Sequence, residues 1–350
     1  MELGVGEYQP SGQSERGESR CEAGYPAGVR SAWWSLLATA VSLGCEAPSV
    51  APRDASSDAA VALDAAGDAA PEAVDVPPWR CGRARPSPRP PSRCNGHAAL
   101  CERTLDAVSF ATTHNAMSTR AERFTPPNHE RAMATQLVDG VRAMMLDVHP
   151  FRDEATLCHG FCTLGRRRLA EGLCDVAQFA DAHPDEVLVL IFESYVSGAM
   201  IEAAAREVDL VPDLHVQPAG APWPTLGAMV GAGRRIVMLT DAGGGEPQRP
   251  WLHALWSHAF ENPYAAADEG ALSCAMNRGD ARNALFIFNH FLTAPLAMPE
   301  LAERINHNPA FLARARRCAE ARGHLPNFVT VDFYETGDLF AVVRALNGLE

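Results

Sequence analysis

The chain contains no lysine; all 30 of its basic side chains are arginine, set against 43 acidic ones for a formal charge of −13. An ammonium group is thereby excluded from every catalytic or anion-binding role. No basic run lies near the presumed site, so the chain is a poor candidate for nucleic-acid binding or for electrostatic docking on anionic lipid. Internal repeats are absent. What remains is a composition of 47% hydrophobic and 21% charged residues over 350 positions. That is a globular chain with one principal domain of roughly 250 residues, expected to act as a monomer.

Ten cysteines are many for a reducing compartment. Eight of them (Cys81, Cys94, Cys101, Cys158, Cys162, Cys174, Cys274, Cys318) fall where the chain reads as folded, and an even number favours disulfides and export. Cys94 with Cys101 and Cys274 with Cys318 are the expected pairs. Cys158 and Cys162 pair with each other, or one of them pairs with Cys174. A zinc site of Cys158, His159, Cys162 and Cys174 is the competing reading.

Residues 1–45 read as an upstream extension plus a signal peptide. "AWWSLLATAVSLG" (32–44) is charge-free and too short to span a bilayer comfortably, and it ends at Cys45 in a degenerate lipobox. A lipid anchor at Cys45 would hold the exported protein to the cell envelope; without it the protein is secreted. The first 28 residues carry five Glu against two Arg, the wrong sign for a leader, which places the true start downstream, at or near Val29. Residues 46–78 hold eleven Ala and seven acids and cannot bury enough apolar area to offset chain entropy. With the Arg/Pro-rich stretch up to 93 they form a disordered linker and an extended collar. The domain is expected over 94–350.

From Cys94 onward strand and helix alternate. "VLVLIFE" (187–193) is apolar on both faces, as in a parallel strand buried on both sides. Leu169, Leu173, Val176 and Ala180 lie at helical steps before a stop at His183-Pro184. Further strands are expected at 108–113, 143–149, 155–159, 235–241, 256–260, 284–290 and 327–334. Eight strands are the count of an α/β barrel.

In such a barrel the chemistry sits at the carboxyl ends of the strands. Those ends carry His114 and Asn115, Asp147 and His149, His159, Glu193, Asp241, Asn289 and His290, and Asp332. Any one of them alone is an ordinary turn or cap residue. Recurrence at independent strands that converge on one point is the signal.

The segments "TTHNAMS", "QLVDGVRAMMLDVHPF", "LCHGFCTLG", "HPDEVLVLIFESYV", "NHFLT" and "PNFVTVDFYETGD", in this order over about 105–345, resemble the catalytic X region of phosphatidylinositol-specific phospholipase C, in its secreted bacterial and fungal form. The resemblance implies an irregular TIM-type (β/α)8 barrel of the PLC-like phosphodiesterase kind. It implies cleavage of a phosphatidylinositol-type or related phosphodiester by His114 and His159 through a cyclic phosphate. Asp332 would hold His114 protonated against a phosphoryl oxygen while His159 protonates the leaving alkoxide. Asn115, Asp147 and Glu193 match the ligands of the calcium-dependent members, so Ca²⁺ is the expected cofactor. His149, Asn289, His290 and Tyr334 are the expected substrate-binding groups.

Two departures bear on this. Met145 stands where a metal-dependent member has an acidic ligand, and Asp147 stands where the metal-independent bacterial members have an arginine; the head-group lysine of characterised members has no counterpart either. An arginine from a loop, such as Arg120 or Arg166, would then have to neutralise the phosphate in a metal-free mechanism. The alternative function is a catalytically lapsed barrel that serves as a cell-surface binding module. A glycerophosphodiester phosphodiesterase fits less well, because such chains resemble His-Arg-Gly where this one has His114-Asn115-Ala116.

Overall fold

The computed structural model describes residues 79–218, 220–293 and 296–349. The expected leader with Cys45 and the linker up to 78 lie outside the described residues. One curled sheet is built from β1 (Phe110–Thr113), β2 (Ala143–Phe151), β3 (Glu154–Leu157), β4 (Arg167–Arg168), β5 (Leu188–Ser194), β6 (Ile236–Thr240), β7 (Leu252–Ala254), β8 (Ala259–Glu261), β9 (Leu285–Asn289) and β10 (Pro326–Val331). Eight of these run parallel in the order β7-β6-β5-β2-β1-β10-β9-β8. Among the described residues β7 and β8 do not pair, so the barrel is irregular and open between them.

The expected count of eight holds, with one member exchanged. The 155–159 segment is not a barrel strand. It forms β3, which returns antiparallel along β2, with Phe151 opposite Glu154. Arg152 and Asp153 make the reversal with φ of 50° and 63°, the backbone of a two-residue hairpin turn. The eighth parallel strand is β7, three residues long and too short to leave a periodic signature.

Period two sorts the strand residues between two cores. Met144, Leu146, Leu190, Phe192, Met238, Phe286 and Val329 pack outward with the helix Leu169–Ala182, whose buried stripe includes the anticipated Leu169, Leu173, Val176 and Ala180. Ala143, Val189, Ile191, Val237, Leu239, Ile287 and Phe328 form the barrel interior. Leu100, Leu105, Trp223 and Leu226 join that interior cluster from the segments before the strands. Continuing the same alternation upward brings Asp147, Glu193 and Asp241 inward at the carboxyl end.

The stretch 79–93 is part of the domain, which corrects the expected boundary at 94. Arg83 bridges Asp181 and Asp213 at 2.8 and 2.7 Å, Arg85 reaches Asp213 at 2.8 Å, and Cys81 is bonded to Cys174. Arg83, Arg85 and Arg89 of the collar find carboxylates on the domain. Cys94–Cys101 and Cys274–Cys318 pair as expected, and Cys158 pairs with Cys162. With Cys174 in the collar disulfide and the other two sulfurs bonded to each other, no thiolate is left for the zinc alternative.

Candidate active site

Thr113 of β1 and Val331 of β10 are in register, so the next residues, His114 and Asp332, emerge side by side. His114 Nδ1 lies 3.0 Å from Asp332 Oδ1, and the Asn128 amide donates to the same oxygen at 2.9 Å. A carboxylate on Nδ1 fixes the tautomer and leaves Nε2 for the cleft. The ring stacks flat on Phe291, with centroids 3.9 Å apart. Beneath it His129, fully buried, donates from Nε2 to the His114 carbonyl at 2.7 Å. Burial pushes the His129 imidazole down to about 4, so it is neutral there.

The residues that follow the pair, Asn115 and Phe333, both adopt left-handed backbone, with φ of 48° and 45°. Asparagine tolerates this geometry, but phenylalanine enters it at a cost of roughly 1–2 kcal/mol. The Phe333 N–H is held by the Asn128 carbonyl at 2.8 Å, so Asn128 secures both the carboxylate and the turn that aims it.

His159 follows Cys158, whose N–H donates to the Asp147 carbonyl at 3.3 Å and so sets this loop level with the end of β2. Burial lowers the His159 proton affinity, and the charges acting on it are those of His114, Asp332, Glu193 and His149. The two histidines therefore share one electrostatic neighbourhood. His149, partly exposed, stacks on Tyr195 at 4.2 Å and is also lowered by burial.

Opposite this lies a row of acids on three adjacent strands. Asp147 and Glu193 are in register, and the Asp241 N–H donates to the Phe192 carbonyl at 3.1 Å. Burial, then Glu193 and Asp241, push the Asp147 carboxyl well above its ordinary range. Asp241 is raised chiefly by burial, although the Ser194 N–H donates to it at 2.8 Å. Glu193 accepts a hydrogen bond from the Tyr195 hydroxyl. Asn115 is buried, and its neighbour Ala116 donates to the Met145 carbonyl at 2.9 Å. Met145 itself, half-buried, takes the register position beside His114.

The donor set is one of hard oxygens, which suits Ca²⁺ or Mg²⁺ rather than zinc. Among the described residues no three His, Cys, Asp or Glu side chains close on one point to hold a metal ion by themselves. Water and substrate oxygens would have to complete the shell.

Three expected substrate-binding groups are instead structural. Both His290 ring nitrogens are committed, one to the Ile305 carbonyl at 3.0 Å and one to Arg314 at 2.9 Å, and burial pushes the imidazole down to about 3. The Asn289 amide donates to Glu261 and to the Asn262 carbonyl. The Tyr334 hydroxyl donates to Asp139 at 2.6 Å. Each follows a strand, as a site residue would, but turns back into the scaffold.

Asn128, Phe291 and Arg278 are the groups the sequence did not reveal. Arg278 pairs through Nε with the buried Glu261 and lies 4.7 and 4.6 Å over the rings of Trp256 and Tyr264. Its charge acts on both Glu193 and Asp241. Arg120 is exposed and paired with Glu130, while Arg166 stacks on Phe151. Arg278 is thus the loop arginine associated with the acidic row.

Fold and mouth define a parallel α/β barrel with its polar layer at the carboxyl ends of the strands. The PI-PLC X family profile (PI-PLC X 1) matches residues 100–347, and the chain belongs to that family. It is 27% identical over 276 residues to PI-PLC X domain-containing protein 1 of Arthroderma benhamiae, covering 73% of this chain and 90% of that one. An uncharacterized secreted protein of the same organism is 26% identical over 75% of this chain, and a PI-PLC X domain-containing protein of Arabidopsis thaliana is 26% identical over 70%. Of those two the matches span 66% and 62% of the length. Among solved structures, the phosphatidylinositol-specific phospholipase C from Listeria monocytogenes aligns with a TM-score of 0.48 at 13% identity, over 71% of this chain and 95% of that one.

Proposed function

We propose that the protein is an exported phosphoric diester hydrolase or lyase that cleaves a phospholipid-type phosphodiester in the manner of a phospholipase C. The carrying observation is the His114–Asp332 pair at 3.0 Å with His159 in the same field. Asp332 stabilises positive charge on His114, so Nε2 can take the proton of a neighbouring substrate hydroxyl as its oxygen attacks phosphorus. The resulting imidazolium then lies against a phosphoryl oxygen. The bond to the leaving alkoxide breaks, and His159 supplies the proton that this oxygen needs. The products are a cyclic phosphate and a free alcohol. Burial makes His159 a weak proton holder in the free protein, and an arriving anionic phosphate raises its affinity at the moment the acid is required.

Asn115, Asp147 and Glu193, with Asp241 alongside, would hold Ca²⁺, which when bound neutralises the acidic row and the phosphate charge. Arg278 contributes fixed positive charge at the same place, and His149 lines the mouth. Four disulfides among the described residues and a relative named as secreted support export. None of the described helices is long and apolar enough to cross a membrane. Turnover of phosphatidylinositol vesicles by the full chain tests the reading. Release of a cyclic phosphate supports it, whereas vesicle binding without any turnover supports the lapsed binding module instead.

A further inference from the structure

Three imidazoles that the proposed reaction does not use lie together beside the amino ends of β6 and β8, whereas the mouth is at the carboxyl ends. The His215 N–H donates to the carbonyl of Ile236, the first residue of β6, and His258 immediately precedes β8. His253 stands in β7. Its ring centroid lies 5.4 Å from that of His258 and 6.4 Å from that of His215, and Trp223 closes the group at 5.6 Å from His258 and 6.0 Å from His215. The group borders the seam where, among the described residues, β7 and β8 do not pair. Only Leu255 to His258 joins these two strands, and β7 is held to β6 along no more than Leu252, His253 and Ala254. The side chains at the seam therefore carry much of its cohesion.

A further proton on these rings would find no counter-ion. His253 Nε2 donates to the His215 carbonyl at 3.2 Å. The Gln217 amide donates to the Ala221 carbonyl, which turns its oxygen toward His215 Nε2 at 3.0 Å, so that nitrogen is a donor too. The charges on the surrounding segments are committed elsewhere or have the wrong sign. Asp213 is held by Arg83 and Arg85, Glu246 by Arg249, Glu261 by Arg278 and Asp280 by Arg282, while Arg235 donates to the carbonyls of Ala180, His183 and Glu186. Glu102, Arg103 and Asp106, from the segment bonded to Pro224, do not act on the rings, and Arg234 opposes protonation of His215. Trp223 and Leu255 belong to the apolar interior cluster, where charge is poorly screened.

We infer that His215, His253 and His258 form an acid-operated latch on the barrel seam: neutral, they pack it shut, and charged, they repel one another and release the turn between β7 and β8. The latch is independent of the reaction proposed above. Burial lowers the proton affinity of all three rings below the ordinary 6.5, His253 to about 4. The released form therefore binds more protons than the packed one, so the latch is shut above about 6.5 and opens as pH falls toward 4.

The test is amide hydrogen exchange on the full chain at about pH 7 and about pH 5, with each rate referred to an unstructured peptide at the same pH. Between the two, protection over 252–258 should fall at least about tenfold more than protection over Leu188–Ser194 in β5, a decade being the linkage of about one pKa unit. Trp223 is a second reporter, because an imidazolium beside an indole quenches its emission. The difference between the parent and Trp223→Phe should dim over the same range and recover on return to neutrality. His258→Gln removes no protein hydrogen bond among the described residues, and His253→Gln can keep the donation to the His215 carbonyl; each should retain most of the protection at the lower pH. His258→Arg fixes the charge and should expose the turn already at about pH 7. Equal loss of protection over 252–258 and Leu188–Ser194 would mean that the whole barrel loosens, as the buried His129 and His290 alone would bring about. Undiminished acid loss in both glutamine variants would assign the opening to other groups. Either result overturns the latch.

Discussion

The two sides of the mouth are built on opposite principles. On the histidine side the carboxylate is partnered: Asp332 Oδ1 is held by His114 and Asn128, and His129 stays neutral beneath them. On the acidic side Asp147, Glu193 and Asp241 lie along adjacent strands, and burial with mutual repulsion drives Asp147 toward its protonated form. The first side is organised by hydrogen bonds within the chain. On the second, the positive charge that the described residues bring to the row is Arg278, whose Nε is already paired with Glu261. Under the calcium reading proposed above, a bound cation would neutralise the rest.

The largest effect should come from breaking the histidine side. His114→Ala and His159→Ala should each lower the rate by at least ~10²-fold with the circular dichroism spectrum unchanged. Asp332→Asn should cost on the order of tenfold to 10²-fold, because the ring keeps its place but loses the charge that orients it. Full activity in both alanine variants would remove the catalytic assignment.

Next comes the acidic side, where the comparison can be sharpened. Exhaustive chelation should lower turnover, and Asp147→Asn or Glu193→Gln should lower it in a way that excess calcium partly restores. Met145→Glu would add a charged oxygen ligand beside His114 and should tighten calcium binding by roughly tenfold, measured by calorimetry without reference to activity. Chelated protein that retains its whole rate would mean that Arg278 alone supplies the positive charge.

A smaller effect separates repulsion from ligation. In metal-free protein Asp147→Asn removes one of three facing carboxylates and should raise the melting temperature, by roughly 2–4 °C for each kcal/mol relieved. The same variant should lose most of the calcium-induced rise seen in the parent. A lower melting temperature without metal would show that the row is not strained by its own charge.

The inward polar layer was legible because strand periodicity is strict: one apolar residue in, one out, and then His114, Asp147, Glu193 or Asp332 where the interior opens. Position after a strand does not say where a side chain turns. His290 and Asn289 carry the same local signature as His114, yet Arg314 and Glu261 claim them, from 24 and 28 residues away. Asn128 lies 204 residues from the Asp332 it supports. Such partnerships are made by barrel closure and leave no trace in local pattern. β3 was misread because the Arg152-Asp153 turn lacks the Asn-Gly or Asp-Gly pair that usually marks a hairpin.

Acid reaches site and scaffold through different histidines. His129 is depressed to about 4 and His290 to about 3, against an ordinary value of 6.5. Between the folded and unfolded values the unfolded chain binds more protons than the folded one. Stability is therefore full above about 6.5 and falls as pH drops toward 4, by up to about 1.4 kcal/mol per pH unit for each histidine. Melting temperatures taken from pH 7 down to pH 4.5 should show that decline. Glutamine can keep the His129 donation to the His114 carbonyl, and likewise the two His290 bonds, without titrating. His129→Gln and His290→Gln should each flatten the slope, and only His129→Gln should also alter the rate, through the backbone that carries His114. An unchanged slope in both variants would show that other groups set the acid sensitivity, and a rate change in His290→Gln alone would return that residue to the site.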